Sequence, residues 1–133
     1  MPYSPSLQSQ VELVQRNRET CANDGNFDEF SRNQHRQELA AALVTLGRLY
    51  KENNDGKAAL ECWQEAIRLS QQTHDNRKEA LIYSMIGEYY STNLHDYASA
   101  ADYLEQAAKA SDDLRTISEY RRQALDYANK AKR

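Results

Sequence analysis

The hydrophobic residues of this chain recur at intervals of three or four positions, which is the spacing of one face of an α-helix. Leu39, Leu43 and Leu46 form one such stripe, and Ile82 and Ile86 begin another about 40 residues later. Residues typical of turns, chiefly Asn, Asp and Gly, follow the first stripe. The pattern therefore predicts successive helices joined by turns.

Two segments of the chain copy each other. Residues 43–50 align with residues 83–90 at a distance of 40, and residues 55–59 align with residues 96–100 at a distance of 41. Each copy is interpreted as two helices, the second of which carries an apolar stripe studded with small side chains. The stripe residues are Ala59, Trp63, Ala66 and Ile67 in the first copy, and Ala100, Leu104, Ala107 and Ala108 in the second.

A glycine stands inside the first predicted helix of each copy. Glycine within a helix costs about 1 kcal/mol relative to alanine. That cost is tolerated where a side chain would block a neighbouring helix. We therefore expect Trp63 to pack close to Gly47, and Leu104 to pack close to Gly87.

These residues resemble the tetratricopeptide repeat. The motif residues are Leu46, Gly47, Tyr50, Ala59, Trp63 and Ala66, then Ile86, Gly87, Tyr90, Ala100 and Ala107, with Leu104 replacing the second aromatic. The period is about 41 instead of the usual 34, as in a long-helix variety. The closing proline is absent, and linking segments 70–79 and 111–119 are expected in its place. The resemblance implies an all-α, right-handed solenoid of antiparallel helix pairs with a C-terminal capping helix.

The resulting domain prediction is a single helical domain spanning residues 1–133. Its parts are an N-terminal helix at 6–22, a first repeat at 36–73, a second repeat at 76–110 and a capping helix at 114–133. Ser4 or Ser6 is expected to cap the first helix, and Asp55 the second helix of the first repeat. Residues 27–52 are expected to form one long helix, although their front half could instead be a separate short turn.

Composition narrows the class of protein. Hydrophobic residues make up 40% and charged residues 28% of the 133 residues, too apolar for a disordered chain. No apolar run approaches the ~20 residues of a membrane helix. The first residues lack the basic and apolar regions of a signal peptide. We therefore expect a cytoplasmic protein with reduced cysteines and no membrane partner.

The charge is unevenly distributed. Residues 1–113 hold 11 Lys/Arg against 18 Asp/Glu, whereas residues 114–133 hold 6 against 2. The basic end is interpreted as a solvated last helix, whose dipole favours cations near its C-terminus. An acidic partner or nucleic acid is the alternative, and the acidic remainder of the chain argues against nucleic acid.

Candidate chemistry is sparse. The three histidines, His35, His74 and His95, lie in different segments and lack the spacing of a zinc site. Cys62 neighbours a tryptophan and is interpreted as a small core residue. No glycine-rich phosphate loop occurs. Tyrosines could form a stacking platform for RNA, but packing is the preferred interpretation. We predict no catalytic, metal or cofactor site, and no enzyme.

The resemblance implies a ligand groove on the first helix of each repeat. Carried over residue by residue, the groove would consist of Val44, Thr45, Arg48, Lys51, Leu81, Ser84, Met85, Glu88, Arg122 and Asn129. The alternative is that these are merely solvated surface positions. Chaperone-binding members of the family hold a terminal carboxylate with Lys and Asn, but Val44, Arg48 and Met85 stand at those positions here.

The predicted function is that of a protein-interaction module. It would bind a protein or peptide segment as an adaptor or scaffold. Two alternatives are a self-associating assembly element, hence a homo-oligomer, and a regulatory domain of a larger enzyme or complex.

Overall fold

The computed structural model describes residues 5–133, and these residues form six α-helices and no strand. The helices are α1 (Pro5–Ala22), α2 (Glu29–Glu52), α3 (Gly56–Gln72), α4 (Asn76–Leu94), α5 (Tyr97–Ala110) and α6 (Leu114–Ala131). The prediction of an all-α fold is confirmed. Residues 29–52 form one uninterrupted helix, so the alternative of a separate short turn in the front half is wrong.

An aspartate immediately precedes each helix from α2 to α6 and caps its N-terminus. In every case the side-chain oxygen accepts a hydrogen bond, 2.7–3.2 Å long, from the backbone N–H three residues later. This contact satisfies one of the N–H groups that a helix start leaves without an intrahelical partner. The capping residues are Asp28, Asp55, Asp75, Asp96 and Asp113.

The connections between helices are short. Three residues join α3 to α4 and three join α5 to α6, so the longer linking segments expected at 70–79 and 111–119 are wrong. The additional residues are helical instead. Ser6 lies inside α1 and does not cap it, and Ser4 lies outside the described residues.

Histidine and asparagine make the tight turns of these connections. Asn54, His74 and His95 adopt left-handed backbone angles, with φ of 63°, 56° and 52°. This conformation commonly ends helices and is usually supplied by glycine or asparagine. The structure thus gives His74 and His95 a conformational role at helix ends.

The chain divides into two compact units, Met1–His74 and Asp75–Arg133. In the first unit α2 packs against both α1 and α3. Its interior contains the predicted stripe of Leu39, Leu43 and Leu46, together with Leu7 and Val14 from α1. A hydrogen bond of 3.0 Å from a glutamine amide of α1 to a carbonyl of α2 joins the two helices.

In the second unit α5 packs against both α4 and α6. Ile82, Ile86 and Leu104 are fully enclosed, and the small residues of α5 bring the neighbouring helices close. Each pair is joined by a connection of two or three residues, so the helices of each pair are antiparallel. Because α4 and α6 both oppose α5, they run in the same direction.

Both glycines lie against the predicted large side chains. A Cβ atom built at Gly47 would contact Nε1 of Trp63 and lie 2.7 Å and 2.8 Å from its Cδ1 and Cε2. A Cβ atom at Gly87 would contact Cδ2 of Leu104. Both contacts confirm the expectation drawn from the repeat.

Candidate functional site

A concave surface lies in the second unit, between the parallel helices α4 and α6. It consists of two cavities, of about 650 Å³ and 440 Å³, that share Tyr120 as a wall. We call this surface the α4–α6 cleft. Its α4 wall consists of Arg77, Ala80, Leu81, Ser84, Glu88 and Thr92, and its α6 wall of Thr116, Tyr120, Gln123 and Tyr127. Leu104 of α5 and the α5–α6 connection complete the lining.

Helical periodicity explains why these side chains line one surface. Most of the lining residues on each wall are three or four positions apart, so they lie on one face of their helix. Both α4 and α6 pack against α5, which places the two lined faces beside each other. The α4 wall spans about 22 Å at the helical rise of 1.5 Å per residue.

Tyr127 connects α6 to both other helices of the unit. The hydroxyl groups of Ser91 on α4 and of Tyr127 are hydrogen-bonded to each other at 3.2 Å. The Tyr127 ring stacks on Tyr97 of α5 with centroids 6.2 Å apart. The ammonium of Lys130 lies 5.6 Å and 5.7 Å from the centroids of these two rings. Together these contacts fix the far end of the cleft.

The end of the cleft beside the first turns of α4 and α6, which we call the near end, carries charges of both signs. Asp113 caps α6 and accepts hydrogen bonds from the Thr116 hydroxyl and backbone N–H, which, together with the Arg77 charge, hold its pKa below the usual value. Asp112 and Arg77 are exposed beside it. The positive charge of Arg77 is therefore already opposed by a carboxylate of the same unit.

Glu88 is different, because its carboxylate is exposed in the middle of the cleft. Among residues 5–133 no basic side chain lies within ion-pair distance of it. Ser84, Thr92 and Gln123 surround it with uncharged polar groups. An unneutralised negative charge thus faces the cleft.

Three of the predicted groove residues, Leu81, Ser84 and Glu88, line the cleft. Met85 is half-buried on α4 and does not line it. The prediction omits Arg77, Ala80 and Thr92, which belong to the same face of α4.

The predicted groove residues of α6 do not line the cleft. Arg122 and Asn129 are exposed on α6, and Arg122 pairs with Glu119 at 3.7 Å. In the repeat alignment, residues 122 and 129 of α6 correspond to residues 81 and 88 of α4. On α4 these two positions face α6. No helix follows α6 within the described chain. The side chains that α6 turns toward α4 are instead Tyr120, Gln123 and Tyr127, which share one face of the helix.

The remaining predicted residues, Val44, Thr45, Arg48 and Lys51, all lie on α2 in the first unit. Arg48 is exposed and the other three are half-buried. The Val44 carbonyl accepts a 3.2 Å hydrogen bond from the indole N–H of Trp63. These four residues stay a predicted surface of the first unit.

The first unit contains a smaller cavity of about 240 Å³ between its three helices, beside Cys62. An ion pair of 2.5 Å between Arg18 and Glu65 crosses its rim. Burial raises the pKa of the Cys62 thiol to about 11. The thiol is therefore protonated at neutral pH and unsuited to nucleophilic attack.

Neither metal chemistry nor a membrane span has support in the part of the chain that the structure describes. No group of three or more His, Cys, Asp or Glu side chains there could hold a metal ion. None of the six helices is sufficiently long and apolar to cross a bilayer.

Comparison with known proteins gives one finding. The family model described as tetratricopeptide repeat matches residues 38–113, which is more than half of the chain. No curated protein and no solved structure matches the chain significantly.

Proposed function

Because the chain belongs to the tetratricopeptide repeat family, we propose that it holds a segment of another protein in the α4–α6 cleft and acts as an adaptor or scaffold. Repeats of this family generally mediate protein–protein interactions and are typically non-catalytic. Repeat proteins of this kind present extended surfaces to their partners. The finer proposal concerns which surface is used and what it accepts.

The α4–α6 cleft, whose two cavities meet at Tyr120, carries this proposal. Its length of about 22 Å matches an extended segment of six or seven residues at about 3.3 Å per residue. Its lining combines an exposed leucine, Leu81, which is 49% accessible, with further apolar and aromatic side chains and with several polar ones. Apolar contact with a few well-placed polar groups is the composition expected of a peptide-binding surface.

Filling the cleft tests the proposal. Ser84 lies on the α4 wall and is half-buried, so Ser84→Phe places a ring between the two helices. Ser118→Phe introduces the same side chain at an exposed position of α6 outside the cleft and serves as the matched control. Proteins captured from a lysate by the unmodified chain would be quantified by mass spectrometry for all three forms.

We expect specific partners to be retained by the Ser118 variant and lost by the Ser84 variant. Circular dichroism must first show that both variants keep their helix content. Equal retention of the partners by both variants would show that they bind outside the cleft. Partners lost by both would show that the surface of α6 outside the cleft is required as well.

A second candidate function, self-association, has one observation in its favour. Leu114 and Leu125 of α6 are 81% and 61% accessible, which is unusual for large apolar side chains. A second copy of the chain could cover them. Sedimentation at several concentrations tests this function, and a mass that stays monomeric throughout excludes it.

A further inference from the structure

The charge pattern of the cleft points to the chemistry of its occupant, and this inference rests on the function proposed above. We infer that the α4–α6 cleft accepts an extended peptide carrying a basic side chain three residues away from an apolar one. The apolar side chain contacts Leu81, and the basic one pairs with Glu88.

Glu88 provides the first part of the argument. Its carboxylate is exposed in the middle of the cleft and has no ion-pair partner between residues 5 and 133. The groups beside it, from Ser84, Thr92 and Gln123, are uncharged. A lysine or arginine entering here would meet a free carboxylate, and an acidic side chain would be repelled.

The other charges of the cleft strengthen the preference. Of the charged lining residues only Arg77 is basic, and the negative charge of the Asp113 carboxylate partly offsets its positive charge. At the far end Lys130 rests over two tyrosine rings. The lining therefore carries one cation, Arg77, against Glu88, Asp112 and Asp113. The lining therefore has a formal charge of −2, which attracts a basic segment.

The spacing of the two contacts follows from helix geometry. Leu81 and Glu88 lie seven residues apart on α4, which corresponds to about 10.5 Å along the helix. An extended peptide covers about 10 Å in three residues. The predicted recognition element is therefore an apolar residue and a Lys or Arg three positions apart, in an order that selection would reveal.

A peptide selection tests this inference directly. A phage-displayed library of random heptapeptides would be panned against the unmodified chain, against Glu88→Arg and against Glu105→Arg. Glu105 is an exposed residue of α5 that does not line the cleft, so the last variant reproduces the charge change elsewhere in the unit. Selected peptides would then be titrated by fluorescence anisotropy.

We expect the unmodified chain and the Glu105 variant to enrich peptides with the apolar and basic pair three positions apart. The Glu88 variant should enrich Asp or Glu at the second position. Replacing the peptide's basic residue with alanine should weaken binding to the unmodified chain about fivefold, which is the upper range for a solvent-accessible ion pair. Higher salt should reduce that difference.

Two other outcomes would overturn the inference in distinguishable ways. Peptides that are blocked by Ser84→Phe but show no basic preference would contradict the inference and leave the proposed function intact. Failure to enrich any peptide on any of the three proteins would contradict both.

Discussion

The indole ring of Trp63 occupies the space that a side chain at position 47 would need. The ring is 1% exposed, and its N–H donates to the carbonyl of Val44, so it is enclosed by the helices around it and held in orientation. The absence of a side chain at Gly47 therefore permits the close approach of α2 and α3. The same relationship recurs between Gly87 and Leu104.

Substitution of Gly47 should destabilise the first unit. We expect Gly47→Leu to lower the free energy of unfolding by about 2 kcal/mol or more, because the enclosed ring cannot move without disturbing its neighbours. Gly47→Ala should have a smaller effect of the same sign, since its gain in helix propensity of about 1 kcal/mol opposes the clash. Urea unfolding followed by the emission of the chain's single tryptophan measures both changes.

Gly25 provides the control for these variants. A Cβ atom there would meet nothing within 4 Å, and the residue has no positive φ. Gly25→Ala should therefore change the free energy of unfolding by no more than about 0.5 kcal/mol. Equal stability of the Gly47→Leu and Gly25→Ala proteins would show that α2 and α3 do not pack as described.

The helix start at Asp55 supports a second prediction. Its carboxylate accepts a 3.2 Å hydrogen bond from the Ala58 N–H at the first turn of α3. Asp55→Ala should destabilise the first unit by about 1 kcal/mol, and Asp55→Ser, which retains an acceptor, by much less. The same urea titration distinguishes the two. Equal losses for Ala and Ser would show that the capping hydrogen bond is not the cause of the destabilisation.

Acid pH should weaken the turn between α1 and α2. Asp24 is 3% exposed, and its Oδ2 lies 3.0 Å from Nδ1 of His35 and 3.0 Å from Nη1 of Arg36. The hydrogen bond with His35, aided by Arg36, lowers the pKa of the Asp24 carboxyl. Because the pKa of the unfolded carboxyl is about 3.9, this stabilisation is present above about pH 4 and is lost as the pH falls through the lower pKa of the folded state.

Asp24→Asn isolates this contribution. The variant should have a lower urea midpoint than the unmodified chain at pH 7, and the difference should shrink below pH 4. Glu12→Gln changes an exposed carboxylate of α1 and controls for the loss of one acidic group. A difference between Asp24→Asn and the unmodified chain that stays constant from pH 7 to pH 3 would contradict the role of the Asp24 charge.

The cysteines should differ in reactivity. Burial raises the pKa of Cys62 to about 11, and its side chain is enclosed, whereas Cys21 is half-buried. In the Cys21→Ser protein, where only Cys62 remains, iodoacetamide at pH 8 should react slowly until denaturant unfolds the first unit. In the Cys62→Ala protein the remaining thiol should react faster under native conditions. Equal native rates would show that Cys62 is accessible.

The core could be predicted from sequence because two independent signals agreed on it. The helical spacing of Leu39, Leu43 and Leu46 gave the buried face, and Gly47 gave the place where Trp63 packs. Both are local properties of the chain, and both are confirmed. The capping aspartates follow the same logic, since a helix start is a local feature.

The α6 wall of the cleft could not be predicted in the same way. The repeat alignment places Arg122 and Asn129 at positions equivalent to Leu81 and Glu88. On α4 those positions face α6, but no helix follows α6 among the described residues. Which face of α6 meets α4 is decided by tertiary contacts, of which the Ser91–Tyr127 hydrogen bond is one. Sequence spacing alone does not contain that information.

The contacts of Tyr127 have a consequence for selectivity. Its hydroxyl is hydrogen-bonded to Ser91 of α4 and its ring stacks on Tyr97 of α5, so this side chain helps to hold α6 at a fixed distance from α4. A segment thicker than this gap can enter only after the hydrogen bond and the ring stacking are broken. We therefore expect a partner held in the proposed cleft to be slender, because a bulky one would lose this internal hydrogen bond and ring stacking.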